Sequence, residues 1–267
     1  MLILYSISFV FHLCKQGIDH LATQVLPPEH QMDERPSVKK VLIIVPAFNE
    51  ELNIARVIDD IRKEVDYVDI LVVNDASRDQ TSTIARSKQA ITVDLPCNLG
   101  IGGAVQTGYI YAWEHDYDIA VQFDGDGQHR AEELHRLISS LEDENADMII
   151  GSRFLQSEGF KSTVLRRIGI LYFSTLLHLI LKQRITDPTS GFRAVNRRLI
   201  KLFVNYYPDD YPEPEVLVYL HRQKVKIVEI PVSMRHREHG VSSIQMFRSV
   251  YYVIKVTLSI LINLIRF

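Results

Sequence analysis

Cysteine is nearly absent from this chain: its 267 residues hold two, Cys14 and Cys97. Two cysteines supply neither a disulfide framework nor a zinc-ligand cluster, and they fit a reduced, cytosol-facing setting. A basic excess is also lacking. The 30 Lys and Arg stand against 33 Asp and Glu, a formal net charge of −3, so no bulk positive field invites a nucleic-acid partner. No internal repeat or low-complexity stretch occurs. With 46% hydrophobic and 24% charged residues, the composition is that of a folded globular chain rather than a disordered one.

Several motifs are missing too. The turn Asn98-Leu-Gly-Ile-Gly-Gly-Ala-Val-Gln-Thr-Gly108 opens a dinucleotide fingerprint at Gly100 and Gly102, but Val105 fills the third glycine's place and the preceding strand is poor. That argues against a nicotinamide site. Two readings of the turn remain: backbone N–H groups at a helix N-terminus offered to an anion, or a tight turn for close helix packing. An EF-hand starting at Asp124 needs glycine sixth and glutamate twelfth, where His129 and His135 stand. His236-Arg-Glu-His239 lacks zinc-peptidase spacing. It leaves a loop histidine as a secondary metal or phosphate contact, or as a plain surface group. No glycine-rich loop with a following lysine succeeds the first strand, which argues against a nucleotidyltransferase.

What is present begins with apolar ends. Met1 to Cys14 is apolar with no preceding Lys or Arg, so a secretory signal lacks its charged start. The run reads either as a membrane-surface anchor or as an untranslated or artefactual leader, with Met32 as the true start. Ser249 to Phe267 is apolar almost all round and near the lower length limit for spanning. It reads as a membrane-associated helix whose Arg248, Lys255 and Arg266 meet headgroups, or as a helix packed on the domain or on another subunit. The division expected is an N-terminal segment and linker over 1–40, one domain over 41–243 and the C-terminal helix over 244–267.

Between those ends, strands and helices alternate. Apolar runs at Val41–Val45, Asp69–Val73, Ile91–Leu95, Asp118–Phe123 and Ala146–Ile150 read as strands. Helical spacing marks Glu50–Val65, Ser77–Ala85, Ile101–Trp113, Ala131–Leu141 and, later, Leu165–Leu181. A strand over Val225–Ile230 follows. This order predicts an α/β fold, a mostly parallel Rossmann-like sheet flanked by helices, with an apolar C-terminal helix. Ligands of such sheets bind at the carboxyl ends of the strands. Asn49, Asp75 and Asp124 all fall there.

The central chemical signal is Asp124-Gly-Asp126-Gly-Gln128. In an extended segment, side chains two apart point the same way. Two converging carboxylates repel unless a cation lies between them, and oxygen-only ligands favour Mg2+ or Mn2+ over zinc. The plain alternative is an acidic surface turn. Tyr211-Pro-Glu-Pro-Glu215 offers Glu213 or Glu215 to a bound sugar, or else a helix start with favourable acidic residues.

In order along the chain stand Pro46-Ala-Phe-Asn-Glu50, Val73-Asn-Asp75, Asn98-Leu-Gly-Ile-Gly-Gly103, Asp124-Gly-Asp-Gly-Gln-His129, Gly151-Ser-Arg153 and Asp187-Pro-Thr-Ser-Gly-Phe-Arg193. This ordered set resembles the family 2 glycosyltransferases of the GT-A fold, and within them the dolichol- or polyprenyl-phosphate sugar synthases. The resemblance covers Val41 to Ile244. It implies that Pro46, Phe48 and Glu50 line a nucleoside pocket and that Asp75 hydrogen-bonds the base. It implies a metal on Asp124 and Asp126, assisted by Gln128, with Gly102 in the donor-side turn. Arg153 would sit beside the donor and acceptor phosphates, and Arg166 or Arg167 would meet a lipid phosphate. Arg235 and Ser242-Ser243 resemble a loop that closes over the diphosphate. The activity implied is inverting transfer from a nucleotide sugar to a polyprenyl phosphate at the cytoplasmic face of a membrane. A glycosyltransferase extending a saccharide and a non-catalytic sugar-nucleotide-binding scaffold are the alternatives. The first would need a carboxylate base, and the second need not keep both Asp124 and Asp126.

Overall fold

The computed structural model describes residues 39–155, 164–208, 212–235, 253–260 and 262. Its first strand, β1 (Val41–Ala47), is buried at every position. A strand covered on both faces has to be apolar throughout, which is why its sequence does not alternate. β1 pairs in parallel with β2 (Val68–Asn74) on one side and β4 (Ile119–Gln122) on the other. β2 continues to β3 (Ile91–Asp94), again in parallel.

Beyond β4 the direction reverses. β6 (Arg193–Asn196) runs antiparallel to β4 and to β5 (Met148–Ser152), and β5 pairs in parallel with β7 (Ile227–Pro231). Among the described residues these strands form one sheet in the order β3-β2-β1-β4-β6-β5-β7. Because β6 is reversed, its first residue, Arg193, lies opposite Gln122 and Ile150. The turn 187–192 therefore arrives at the carboxyl ends of β4 and β5.

Helices cover both faces. Alternate β1 side chains point to opposite sides. Leu42 and Ile44 join one core with Tyr109 of α3 (Gly100–Glu114), Phe173 of α5 (Val164–Leu181), Phe203 of α6 (Arg197–Asn205) and Leu217 of α7 (Pro212–Arg222). Ile43 and Val45 join a second core with Ile58 of α1 (Ile54–Glu64), Ala85 of α2 (Thr81–Ser87) and Leu137 of α4 (Leu134–Asp143). α1 buries Ile54, Val57, Ile58 and Ile61, the three-and-four spacing of a one-faced helix. α3 sits unusually close to the sheet. A Cβ on Gly108 would lie 2.3 Å from Ile44 Cγ2, so glycine is required there.

The α/β, mostly parallel, helix-flanked sheet is the one expected. Two elements were not: β6 and α6 lie where the sequence suggested only turn and irregular chain. α1 begins at Ile54 rather than Glu50, because Asn49 is left-handed (φ 55) and the amides of Asn53 and Ile54 both turn back to the Glu50 carbonyl at 2.9 Å. Residues 253–260 are helical. Val256 and Ile260 are buried in the first core, whereas Ile254 and Leu258 are exposed. Among the described residues, no helix is long and apolar enough to cross a membrane.

Candidate active site

The loops after β1 and β2 latch onto each other through side chain to backbone bonds. Asn49 N donates to Ser77 Oγ (2.9 Å), Arg78 N to Asn49 Oδ1 (2.9 Å) and Glu50 N to Thr81 Oγ1 (2.8 Å). The Glu50 carboxylate accepts from Asn53 Nδ2 at 2.7 Å. Pro46 is buried within β1. Phe48, just past the strand, is 48% exposed, an aromatic face at the carboxyl edge of the sheet.

Asp75 follows β2 and is buried. Leu99 N donates to its Oδ1 (2.7 Å) and Gly100 N to its Oδ2 (3.0 Å). Burial pushes its carboxyl up, and these two amides pull it back only in part. The glycine turn is thereby bound to a carboxylate of this chain. Leu99 and Gly100 give their amides to Asp75 rather than to an anionic ligand, and Gly102 is buried in the first turn of α3.

Asp124 stands two residues beyond β4, with its side chain 36% exposed. Its Oδ1 accepts from Gln122 Nε2 (3.4 Å) and its Oδ2 from His129 Nε2 (3.1 Å). Burial acts to raise the Asp124 carboxyl, but His129, Gln122 and the Arg153 charge hold it below the usual carboxylate range. Gly125 and Asp126 turn, so the two aspartates do not share an extended segment as the sequence spacing suggested. Asp126 Oδ1 instead accepts from Gln128 N at 3.0 Å, which folds the loop back. Above Asp124 lies Gly191, where a Cβ would stand 3.2 Å from both Asp124 oxygens. A side chain at 191 would therefore close the space over that carboxylate.

Among the described residues no group of three or more His, Cys, Asp and Glu side chains is set to hold a metal. The loop offers two carboxylates and the Gln128 amide, an all-oxygen set. That set fits a hard divalent cation, which completes its shell with water and substrate phosphates.

Arg153, at the end of β5, is buried against the fully buried Asp187. Nε donates to Oδ2 (2.6 Å), Nη2 to Oδ1 (2.7 Å) and to Thr189 Oγ1 (2.9 Å), and the Arg153 amide to Oδ2 (3.1 Å). Its guanidinium thus forks a carboxylate inside the protein. The turn that carries Asp187 is held from behind. Glu229 of β7 accepts from Thr186 N (2.7 Å) and Asp187 N (2.9 Å).

The two glutamates at the start of α7 part company. Glu215 accepts from Ser259 Oγ (2.7 Å) and Tyr206 Oη (3.4 Å), tying α7 to the helical stretch 253–260. Glu213 looks toward the site. Burial pushes its carboxyl up and Asp124 adds to this, while Arg193 and Gln122 act to lower it. Arg193 is fully buried and grips three carbonyls, Ser190 O (2.8 Å), Pro188 O (3.1 Å) and Glu213 O (2.9 Å). It joins the 187–191 turn to the first turn of α7.

The remaining predicted residues lie apart or outside. Arg235 N donates to Gln128 O (2.8 Å), and its guanidinium engages Asp60 of α1 and Glu132. That fastens the segment after β7 along the acidic loop. Arg166 and Arg167 fall in the first turn of α5, and their side chains lie outside the described residues, as do Ser242, Ser243, His236 and His239. Sequence reasoning did not single out Gln122, Asp187, Arg193 or Glu229 for the site. Only Asp187 and Arg193 carried a signal, as the ends of one quoted motif.

A mostly parallel sheet, helices on both faces and an acidic loop beyond the central strand define a glycosyltransferase of the GT-A type. The chain belongs to glycosyl transferase family 2, whose sequence model matches residues 42–203. It is 30% identical over 224 residues to a UDP-N-acetylglucosamine–dolichyl-phosphate N-acetylglucosaminyltransferase of Methanococcus voltae, covering 76% of this chain and 89% of the relative. It is also 30% identical over 212 residues to an undecaprenyl-phosphate mannosyltransferase of Micrococcus luteus, covering 76% and 86%. In fold it is similar to glucosyl-3-phosphoglycerate synthase from Mycobacterium tuberculosis in complex with Mn2+, uridine diphosphate and phosphoglyceric acid. The TM-score is 0.66 at 20% identity, over 84% of this chain and 78% of that one.

Proposed function

We propose that this glycosyl transferase moves a sugar from a nucleotide-sugar donor to a polyprenyl phosphate, in one displacement that inverts the anomeric carbon. The observation that carries the reading is Asp124: held ionised beyond β4, beside Asp126, with the space above it kept clear by Gly191. Asp124 and Asp126, with Gln128, would hold Mg2+ or Mn2+ against the donor diphosphate. That cation would offset the charge growing on the leaving nucleoside diphosphate. The exposed ring of Phe48 would give a base a surface to stack on, and Pro46, Glu50 and Asp75 would be the other residues of that nucleoside pocket. The names of the two 30%-identical relatives support a polyprenyl phosphate acceptor. Such a phosphate is already an anionic nucleophile, and Arg166 or Arg167 would meet it at the membrane. The exposed apolar side chains Leu171, Leu179, Ile254 and Leu258 suit a protein lying on the cytoplasmic face of a membrane, with residues 244–267 as its membrane-associated part.

The test is transfer itself. The full chain is incubated with Mn2+, polyprenyl phosphate and labelled nucleotide sugars. Label is expected in the organic-extractable phase, and it should fall to background with chelator or with Asp126→Asn. Label found only in water-soluble saccharide would overturn the acceptor.

A hydroxyl acceptor is the second reading, and Glu213 favours it. A buried carboxyl raised above its ordinary range is suited to taking a proton from an alcohol. Glu213→Gln separates the two. With a phosphate acceptor, turnover stays within a few-fold and the pH profile keeps its shape. With a hydroxyl acceptor, turnover falls by about 10²–10⁴-fold. The wild-type rate would then drop as pH falls through the raised Glu213 value, and the variant would lose that limb.

A further inference from the structure

We infer that His129 is the positioning residue for Asp124, orienting that carboxylate for the cation without ligating it. The inference rests on the reading of Asp124 as a metal ligand. His129 is 3% exposed. Its ring stacks on Phe192 (centroids 4.8 Å, 26°) and meets the edge-packed Phe123 (5.4 Å, 63°). Phe192 is placed in turn by Ser190, which accepts the Phe192 amide (3.3 Å) and donates to Gly151 O (2.7 Å). The backbone of His129 is bridged to Met234. The imidazole is thus held on its faces and along its main chain, with Nε2 aimed at Asp124 Oδ2 at 3.1 Å.

The other ring nitrogen completes the assignment. Nδ1 is buried with no hydrogen-bond partner among the described residues, so it is sealed from the loop and cannot reach a cation there. An ionised carboxylate only accepts, so Nε2 must carry the proton in this contact. One Asp124 oxygen is therefore fixed by His129, while Oδ1 receives, among the described residues, the long Gln122 bond; both oxygens lie beneath Gly191. Hydrogen bonds from a second layer of residues commonly set the orientation of metal-binding carboxylates, and their loss weakens metal binding by about 10–100-fold.

The test is Mn2+ binding to the full chain, without donor or acceptor, followed by the electron paramagnetic resonance signal of the aqueous ion. His129→Phe keeps the stack on Phe192 and removes the donor. His129→Gln gives up the stack and keeps an N–H donor. The expected result is weakening of about 10–100-fold for phenylalanine and a clear recovery for glutamine, with both variants folded by thermal melting. Wild-type Mn2+ affinity in His129→Phe, with binding lost in Asp124→Asn, overturns the role of His129 alone. Wild-type affinity in Asp124→Asn overturns the metal reading beneath it. A measurement on the unaltered protein guards against a variant that does not fold. Nitrogen NMR of labelled histidine should show a proton on His129 Nε2, and an Nε2 without a proton overturns the proposal.

Discussion

Arg153 and Asp187 show how a residue's neighbours decide what its charge is for. The sequence places Arg153 after a strand in a glycosyltransferase motif, where a phosphate contact is the natural expectation. In the fold its guanidinium forks a fully buried carboxylate. Removing one partner of such a pair leaves the other charged and desolvated, at a cost of about 3–5 kcal/mol. Arg153→Met should lose stability on that scale in urea unfolding, with much of the loss recovered by Arg153→Met combined with Asp187→Leu. Unchanged stability with a raised donor KM would show that the arginine serves the phosphate instead. At this scale, residues at strand ends were legible in the sequence. Asp75 and Asp124 follow runs of buried β-formers, and ligands gather at such ends. Their partners were not. Asp187 is 34 residues from Arg153, and no local pattern records a contact made only when β6 turns back.

The elements differ in the same way. β1 announces itself by an unbroken apolar run, and α1 by its spacing. β6 has four residues, begins with a buried arginine and carries no apolar run, so only its pairing partners define it. Asp147 is one of the groups that hold this part together. Its carboxylate accepts from Asn196 at the end of β6 (2.9 Å), Arg198 in α6 (3.0 Å) and the Lys226 amide before β7 (3.0 Å). Burial acts to raise it, but the Lys226 amide, Asn196 and Arg198 outweigh burial and hold it below the ordinary range. A carboxyl with a lowered folded value binds its proton more weakly folded than unfolded. Its stabilisation is therefore present above the unfolded value of about 4 and is lost as pH falls through the lower folded value. Asp147→Asn should cost about 1–3 kcal/mol at pH 7. The gap to wild type should narrow below about pH 4, as read by urea unfolding across that range.

At the scale of the whole molecule, one flank stays apolar after the core is complete. Leu171 and Leu179 of α5 are 68% and 73% exposed, and Ile254 and Leu258 are 54% and 53% exposed on the neighbouring helical stretch. The two are joined by a hydrogen bond between Tyr172 Oη and Thr257 Oγ1 at 3.0 Å. If this flank meets lipid as proposed, Leu171→Asp with Leu179→Asp should lower co-sedimentation with phospholipid vesicles by at least about tenfold, since burying one leucine is worth ~1.5–3 kcal/mol. Unchanged co-sedimentation would place lipid contact elsewhere. The reversed strand in the middle of the sheet has a different consequence, for synthesis. The ribosome delivers β4 well before β6, and β5 comes out between them. Until residues 193–196 have emerged, β4 has an unpaired edge, and β5 stands ready as a wrong parallel neighbour. An open strand edge recruits whatever strand is near, and long-range pairing is slow. The step most exposed to misfolding is therefore the insertion of four residues between two strands that were made first.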